Sequence, residues 1–219
     1  MKEPNRERKN EIRYNITLNE EQKEAKGLIY DNQIVVITGR AGSGKSLVAA
    51  MTALDFFNKK MIDEILVTRS AVEVGHSLGF LPGSLDEKFN PYIEALQENL
   101  MKCTDRLRVE DMIKNQKIKA LPVQFIRGKT VDQVLIVEEA QNLTKHEMLA
   151  ILTRLGKTGK IIINGDNEQI DIKNSTGEPN GLTYAIELSK RIEEIKWIKL
   201  NHNHRSDLVG KILDFEYNK

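Results

Sequence analysis

The run Gly39-Arg40-Ala41-Gly42-Ser43-Gly44-Lys45-Ser46 constrains this chain more than any other stretch. A G-x-x-x-x-G-K-S pattern has a specific physical use. Its glycines let backbone amides curl around a triphosphate, the lysine reaches the outer phosphates, and the last hydroxyl ligates magnesium. That use demands a buried strand leading in and a helix leading out. Ile34-Val35-Val36-Ile37 is a β-branched apolar run of the first kind, and Ser46 to Asn58 places Leu47, Met51 and Leu54 at helical spacing, with Val48, Ala50 and Phe57 around them. The helix start then turns its free amides toward the phosphates. Gly39, Arg40, Ala41, Gly42, Ser43, Gly44, Lys45 and Ser46 are therefore the expected nucleotide cradle, with Lys45 acting on the outer phosphates and Ser46 on the metal.

A chain of 219 residues has room for one full α/β domain with a small insertion and not for two large ones. The pattern divides it into a polar arm over 1–15 and a single domain over 16–219. Basic residues of the arm alternate with Glu3, Glu7 and Glu11, which reads as a solvated, flexible tail. The net charge of +1 hides 30% charged residues, so any basic surface must be local. The lone Cys103 excludes an internal disulfide and reads as a packing residue. With no apolar run of membrane-span length and no apolar signal core at the start, a cytoplasmic, non-membrane protein is expected.

Further strands are expected at Glu64 to Thr68, Val134 to Val137, Lys160 to Asn164 and Trp197 to Leu200. They predict a predominantly parallel sheet flanked by helices. Between the second and third lie a long loop over 70–83, helices over 85–101 and 104–115 that read as an insertion, and extended pieces around Pro122. Helices are also expected from Asn19, Thr144 and Gly181, the first two with capping-box partners Gln22 and Glu147. Gln22 has two readings, as that capping partner or as an amide that reads an adenine edge.

The third strand delivers Glu138 and Glu139 to its carboxyl end, where a magnesium nucleotide needs them. Glu138 is assigned to the metal and Glu139 to the general base that polarises the attacking water. Gln169, beyond the fourth strand, is placed to sense the terminal phosphate, and Arg205, beyond the last, to present a guanidinium to a phosphate. His202 and His204 lack the partners of a metal site.

Taken in order, G-x-x-G-S-G-K-S, T-R-S-A-V-E-V-G-H-S-L-G-F-L-P-G, F-I-R-G-K-T, V-E-E-A-Q-N and G-D-N-E-Q-I-D resemble the PhoH family of ATPases, whose core is similar to the first motor domain of superfamily 1 helicases. The resemblance runs from about Thr17 to Leu213. It implies a P-loop, RecA-like fold that binds ATP and Mg²⁺, with Gln22 on the adenine side, Glu138 on the metal, Glu139 as base and Gln169 as γ-phosphate sensor. It also implies a ring-shaped homo-oligomer, a hexamer, in which Arg205, or Arg69, reaches a neighbour's nucleotide, and action on RNA or single-stranded DNA. The sequence departs from the family pattern at Glu138, where Asp is usual, and at Ser70, where proline is. Longer relatives carry a nuclease or RNA-binding domain for which this length leaves no room. Two other functions compete: a nucleotide-dependent interaction module or switch with little turnover, and a small-molecule phosphotransferase, which Glu139 and Gln169 oppose because they suit water activation.

Overall fold

The computed structural model describes residues 16–70, 72–73, 76–77, 85–167, 177–204, 208–209, 211 and 215. The expected arm over 1–15, most of the loop over 70–83, Gln169 and Arg205 lie outside the described residues.

Helix α1, Glu20–Asp31, starts at Asn19. The Asn19 side chain accepts from the Gln22 amide at 2.8 Å, and Gln22 Oε1 accepts from the Asn19 amide at 3.1 Å, so two of the orphan donors at a helix start are satisfied reciprocally. Strand β1, Ile34–Gly39, follows, then helix α2, Lys45–Asn58, and strand β2, Ile65–Arg69. A two-residue antiparallel pair, β3 at Val72–Glu73 and β4 at His76–Ser77, stands within the stretch expected as loop. Helices α3, Leu85–Cys103, and α4, Arg106–Lys114, lead to strand β5, Ile118–Ala120, and a short helix α5, Val123–Ile126. Strand β6, Val134–Glu138, a 3-10 turn over Ala140–Asn142, helix α6 at Lys145–Leu152, strand β7 at Lys160–Gly165, helix α7 at Gly181–Ser189 and strand β8 at Ile195–Leu200 complete the order. Thr144 and Glu147 form the second expected capping box, at the start of α6.

The six long-range strands form one parallel sheet in the order β5-β2-β6-β7-β1-β8. Because both faces are covered, the strands are continuous apolar runs rather than alternating ones. Successive side chains go to opposite layers. Val35 and Ile37 of β1 and Ile136 of β6 join the layer of α1 to α4, while Val36, Leu135 and Val137 join that of α5 to α7.

At the edge of the sheet the extended pieces expected around Pro122 are met before the proline and not after it. Residues 118–120 are a sixth parallel strand, paired only to β2, and too short for any periodicity to be read. Residues 123–126 are helical rather than extended. Their β-branched and aromatic composition suits a strand, but burial of Val123 and Ile126, one turn apart, selects a helical turn after Pro122 and leaves Phe125 exposed. The helices expected as an insertion connect β2 to β5, and Leu96, Leu100, Cys103, Val109 and Met112 join the same core as β1 and α2. Among the described residues no helix is long and apolar enough to cross a membrane.

Candidate nucleotide site

In an open parallel sheet, ligands gather outside the carboxyl ends of strands, where successive connections leave in opposite directions. Here β1 lies between β7 and β8, yet the chain leaving it runs to β2, beyond β6 and β7. Its carboxyl end carries the loop from Gly39 to Ser46.

The loop depends on backbone shapes that side chains resist. Gly44, at φ 88°, is the N-terminal cap of α2, and a Cβ there would run into the Gln22 amide. Gly39, at φ 152°, would run into the Leu200 carbonyl of the neighbouring strand. No side chain caps α2, so its first amides remain available to an anion. The Lys45 ammonium lies back over the loop, donating to Gly39 O at 2.5 Å and Arg40 O at 3.2 Å.

Opposite the loop, β6 ends in Glu138, and the chain turns at once. Ser46 Oγ donates to Glu138 Oε2 at 2.9 Å, and Asn164 Nδ2, from the end of β7, donates to Glu138 Oε1 at 3.0 Å. The structure therefore brings together the two residues assigned to the metal. Burial pushes the Glu138 carboxyl above the ordinary range; the hydrogen bonds from Asn164 and Ser46 oppose it, the Glu139 charge adds to it, and Lys45 again opposes it. Glu139 sits in the left-handed region, φ 51° and ψ 45°, an uncommon conformation for a side chain of this type. Its carboxylate accepts from Gln141 Nε2 at 2.5 Å, and Gln141 Oε1 accepts from the Asp166 amide at 3.0 Å. Buried Gln141 thus ties the end of β6 to the end of β7.

The elements enclose a cavity of about 640 Å³ lined by Gln22, Gly42, Lys45, Ser46, Glu138, Glu139, Asn164, Asp166 and His204 among others. That is large enough for a nucleotide. At its far end Gln22 is 2% exposed and keeps its capping role, while its Nε2 donates to Ser43 O at 3.0 Å and lies 3.0 Å from His204 Nε2. The side-chain Nδ2 of Asn19 lies 3.2 Å from the same ring atom. Both neighbours are donors, so His204 Nε2 accepts and the ring proton belongs on Nδ1. The His204 backbone amide also donates to Gly42 O at 3.1 Å, pinning the segment after β8 to the phosphate loop.

Oxygen donors alone face the cavity at Ser46 and Glu138, a hard set that fits Mg²⁺. Asn164 Oδ1 and Ser43 Oγ are buried without a partner among the described residues, as expected where polar ligands complete a site. Among the described residues no cluster of three or more His, Cys, Asp or Glu forms a dedicated metal cage. Magnesium taken up mainly by a nucleotide's phosphates needs none. Ser46, Glu138 and Glu139, singled out by the sequence, lie together at this cavity, and Asn164, Gln141 and His204, to which the sequence reading assigns no role, contact residues of the same site. The signal for Asn164 is the polar pair Asn164 and Asp166 at the end of three apolar strand residues, Ile161 to Ile163.

A family profile described as "PhoH-like protein" matches residues 16–216. A PhoH-like protein of Bacillus subtilis (strain 168) is 38% identical over 196 residues, covering 88% of this chain and 61% of that protein. Protein PhoH of Escherichia coli (strain K12) is 33% identical over 198 residues, covering 89% and 54%. The chain therefore spans a little over half the length of these relatives. Among solved structures, the Pif1 helicase from Candida albicans is similar over 93% of this chain and 44% of its own, at TM-score 0.52 and 17% identity. The large terminase from a thermophilic bacteriophage, in complex with ADP, matches over 92% and 50%, at TM-score 0.53 and 10% identity. These two likenesses place the fold among helicase and terminase P-loop domains. The loop at the end of β1, the paired glutamates at the end of β6 and the extent of the family match together make this chain a member of the PhoH-like protein family.

Proposed function

We propose that this protein binds MgATP between the loop at 39–46 and the ends of β6 and β7, and hydrolyses it. The observation that carries the reading is the convergence of Ser46, Glu138 and Glu139 on one cavity wall beneath the uncapped start of α2. Ser46 and Glu138 would hold the magnesium, which when bound neutralises charge on the phosphates. Lys45 is placed to exchange its loop carbonyls for phosphate oxygens. Glu139 faces the same cavity and, released from Gln141, takes the proton of the attacking water. Gln169 as γ-phosphate sensor and Arg205 as a finger donated to a neighbouring copy complete the proposed machinery. Gln22 reaches an adenine edge only by giving up a contact to Ser43 or His204. Replacing Glu139→Gln is expected to lower kcat by ~10² to 10⁴, the usual worth of a general base, with ATP affinity unchanged in equilibrium binding. Unchanged turnover would remove Glu139 from the role.

We further propose that hydrolysis is coupled to RNA or single-stranded DNA in a cytoplasmic ring of identical copies, a hexamer. Exposed Phe125 beside Arg127, with Arg154 donating to Arg127 O at 3.1 Å and His146 2.6 Å from the Arg127 guanidinium, supports a strand-binding surface of aromatic and cationic groups. A second reading, a nucleotide-dependent interaction module with little turnover, is favoured by one feature, the occupation of Glu139 by Gln141. The wild-type steady-state ATPase rate separates the two: turnover too slow to follow at saturating MgATP, with tight nucleotide binding retained, supports the module, and multiple turnovers per minute the motor.

A further inference from the structure

An asparagine side chain offers two donors on nitrogen and an acceptor on oxygen, and burial makes each of them costly to leave unused. Asn164 is 1% exposed at the end of β7. Its Nδ2 donates to Glu138 Oε1, while Glu138 Oε2 takes the hydroxyl of Ser46. A carboxylate accepts only, so this contact fixes which way the amide faces. The atom left over is therefore the carbonyl oxygen, and Asn164 Oδ1 has no partner among the described residues. It is a buried acceptor on a residue that lines the nucleotide cavity, beside the carboxylate assigned to the metal.

Water ligated by a magnesium ion is a strong donor, and such an ion usually keeps several waters. Ligating carboxylates are themselves held by neighbours whose loss weakens the metal. We propose that Asn164 is a positioning residue for the metal of the bound nucleotide: its N–H holds Glu138, and its Oδ1 accepts a hydrogen bond from a water carried by that metal. The inference rests on the MgATP reading above and adds to it a residue that the phosphate-loop and glutamate patterns do not contain. It also accounts for how the long Glu138 side chain is kept in one orientation, gripped from α2 on one oxygen and from β7 on the other.

The test uses the full chain, with Mn²⁺ as a spectroscopic probe and the non-hydrolysable analogue adenylyl imidodiphosphate. Electron paramagnetic resonance titration gives the Mn²⁺ affinity of the nucleotide complex, and fluorescence titration in EDTA gives nucleotide affinity without metal. Asn164→Ala and the bulkier, apolar Asn164→Leu are expected to weaken Mn²⁺ binding by about 10- to 100-fold while metal-free nucleotide affinity stays within about twofold. In a Glu138→Asp background, whose shorter carboxylate withdraws from Asn164, the same Asn164→Ala change is expected to cost less than about threefold, because the two residues act as one unit. Mn²⁺ affinity within about twofold of wild type in both single variants would overturn the inference while leaving the MgATP reading standing. A full-sized loss in the Glu138→Asp background would overturn the link through Glu138. A wild-type protein with no nucleotide-dependent Mn²⁺ site would overturn the MgATP reading itself, and this inference with it.

Discussion

Glu138 carries a charge that its surroundings oppose. Burial lifts its carboxyl above the ordinary range despite the hydrogen bonds from Asn164 and Ser46, so the folded state holds this proton more tightly than the unfolded chain does. A group with a raised folded pKa contributes stability at low pH that is lost as pH rises through its folded pKa. Glu138→Gln, which removes the charge, is therefore expected to leave the melting temperature of the nucleotide-free protein unchanged well below the ordinary glutamate range. Above that range it is expected to raise it, and thermal melts across pH test this. A variant that melts lower than wild type at neutral pH would contradict the balance drawn here. At this scale the sequence was legible where one residue acts through a contiguous pattern. Gly39 to Ser46 and the pair Glu138 and Glu139 announce themselves by what precedes and follows them. Asn164, Gln141 and His204 do not, because each works on a partner far away in sequence: Asn164 on Glu138 across 26 residues, Gln141 on Asp166 across 25 and His204 on Gln22 across 182.

The helices α3 and α4 are where periodicity makes the elements legible and the sheet shows what they pack against. Apolar spacing gives both helices to within a turn, as an insertion between the second and third expected strands. The sheet gives them their purpose, since Leu100 and Cys103 pack into the core that α2 shares, and β5 after them finds β2. Cys103, 1% exposed, donates its thiol to Asn99 O at 3.3 Å, and burial, with the charge of Asp55 adding to it, pushes its pKa up to about 11. At pH 8 roughly one molecule in a thousand then carries the reactive thiolate, since each pKa unit is a factor of ten. An aromatic disulfide reagent is expected to leave the native protein unlabelled for hours at pH 8 and to label it fully once denaturant is added. Prompt labelling without denaturant would mean that α3 leaves the core. The capping boxes at Asn19 and Thr144 were legible for the opposite reason: both partners lie within one turn, so sequence spacing and spatial neighbourhood coincide.

For the whole molecule, the proposed ring and its strand are tested together by the steady-state ATPase rate per protomer, titrated over protein concentration with and without single-stranded RNA. A rate that rises with both is expected; a flat rate indifferent to RNA would favour the interaction module. With a net charge of only +1, any polynucleotide must bind through a local surface such as that around Arg127, so its affinity should fall with salt as a few phosphate contacts predict, by ~10-fold or more between low and physiological ionic strength. The sheet order carries one more consequence. Strand β1, which bears the phosphate loop, pairs on one side with β7, Ile34 opposite Ile161, and on the other with β8, Ile34 opposite Ile195. Both partners are made long after it. On a translating ribosome, then, the loop emerges before its partners and waits: β1 acquires its neighbours, and Gly42 its contact from His204, only after residues 160–204 have followed, so the capacity to hold a nucleotide comes with the closing of the sheet rather than with the synthesis of the loop.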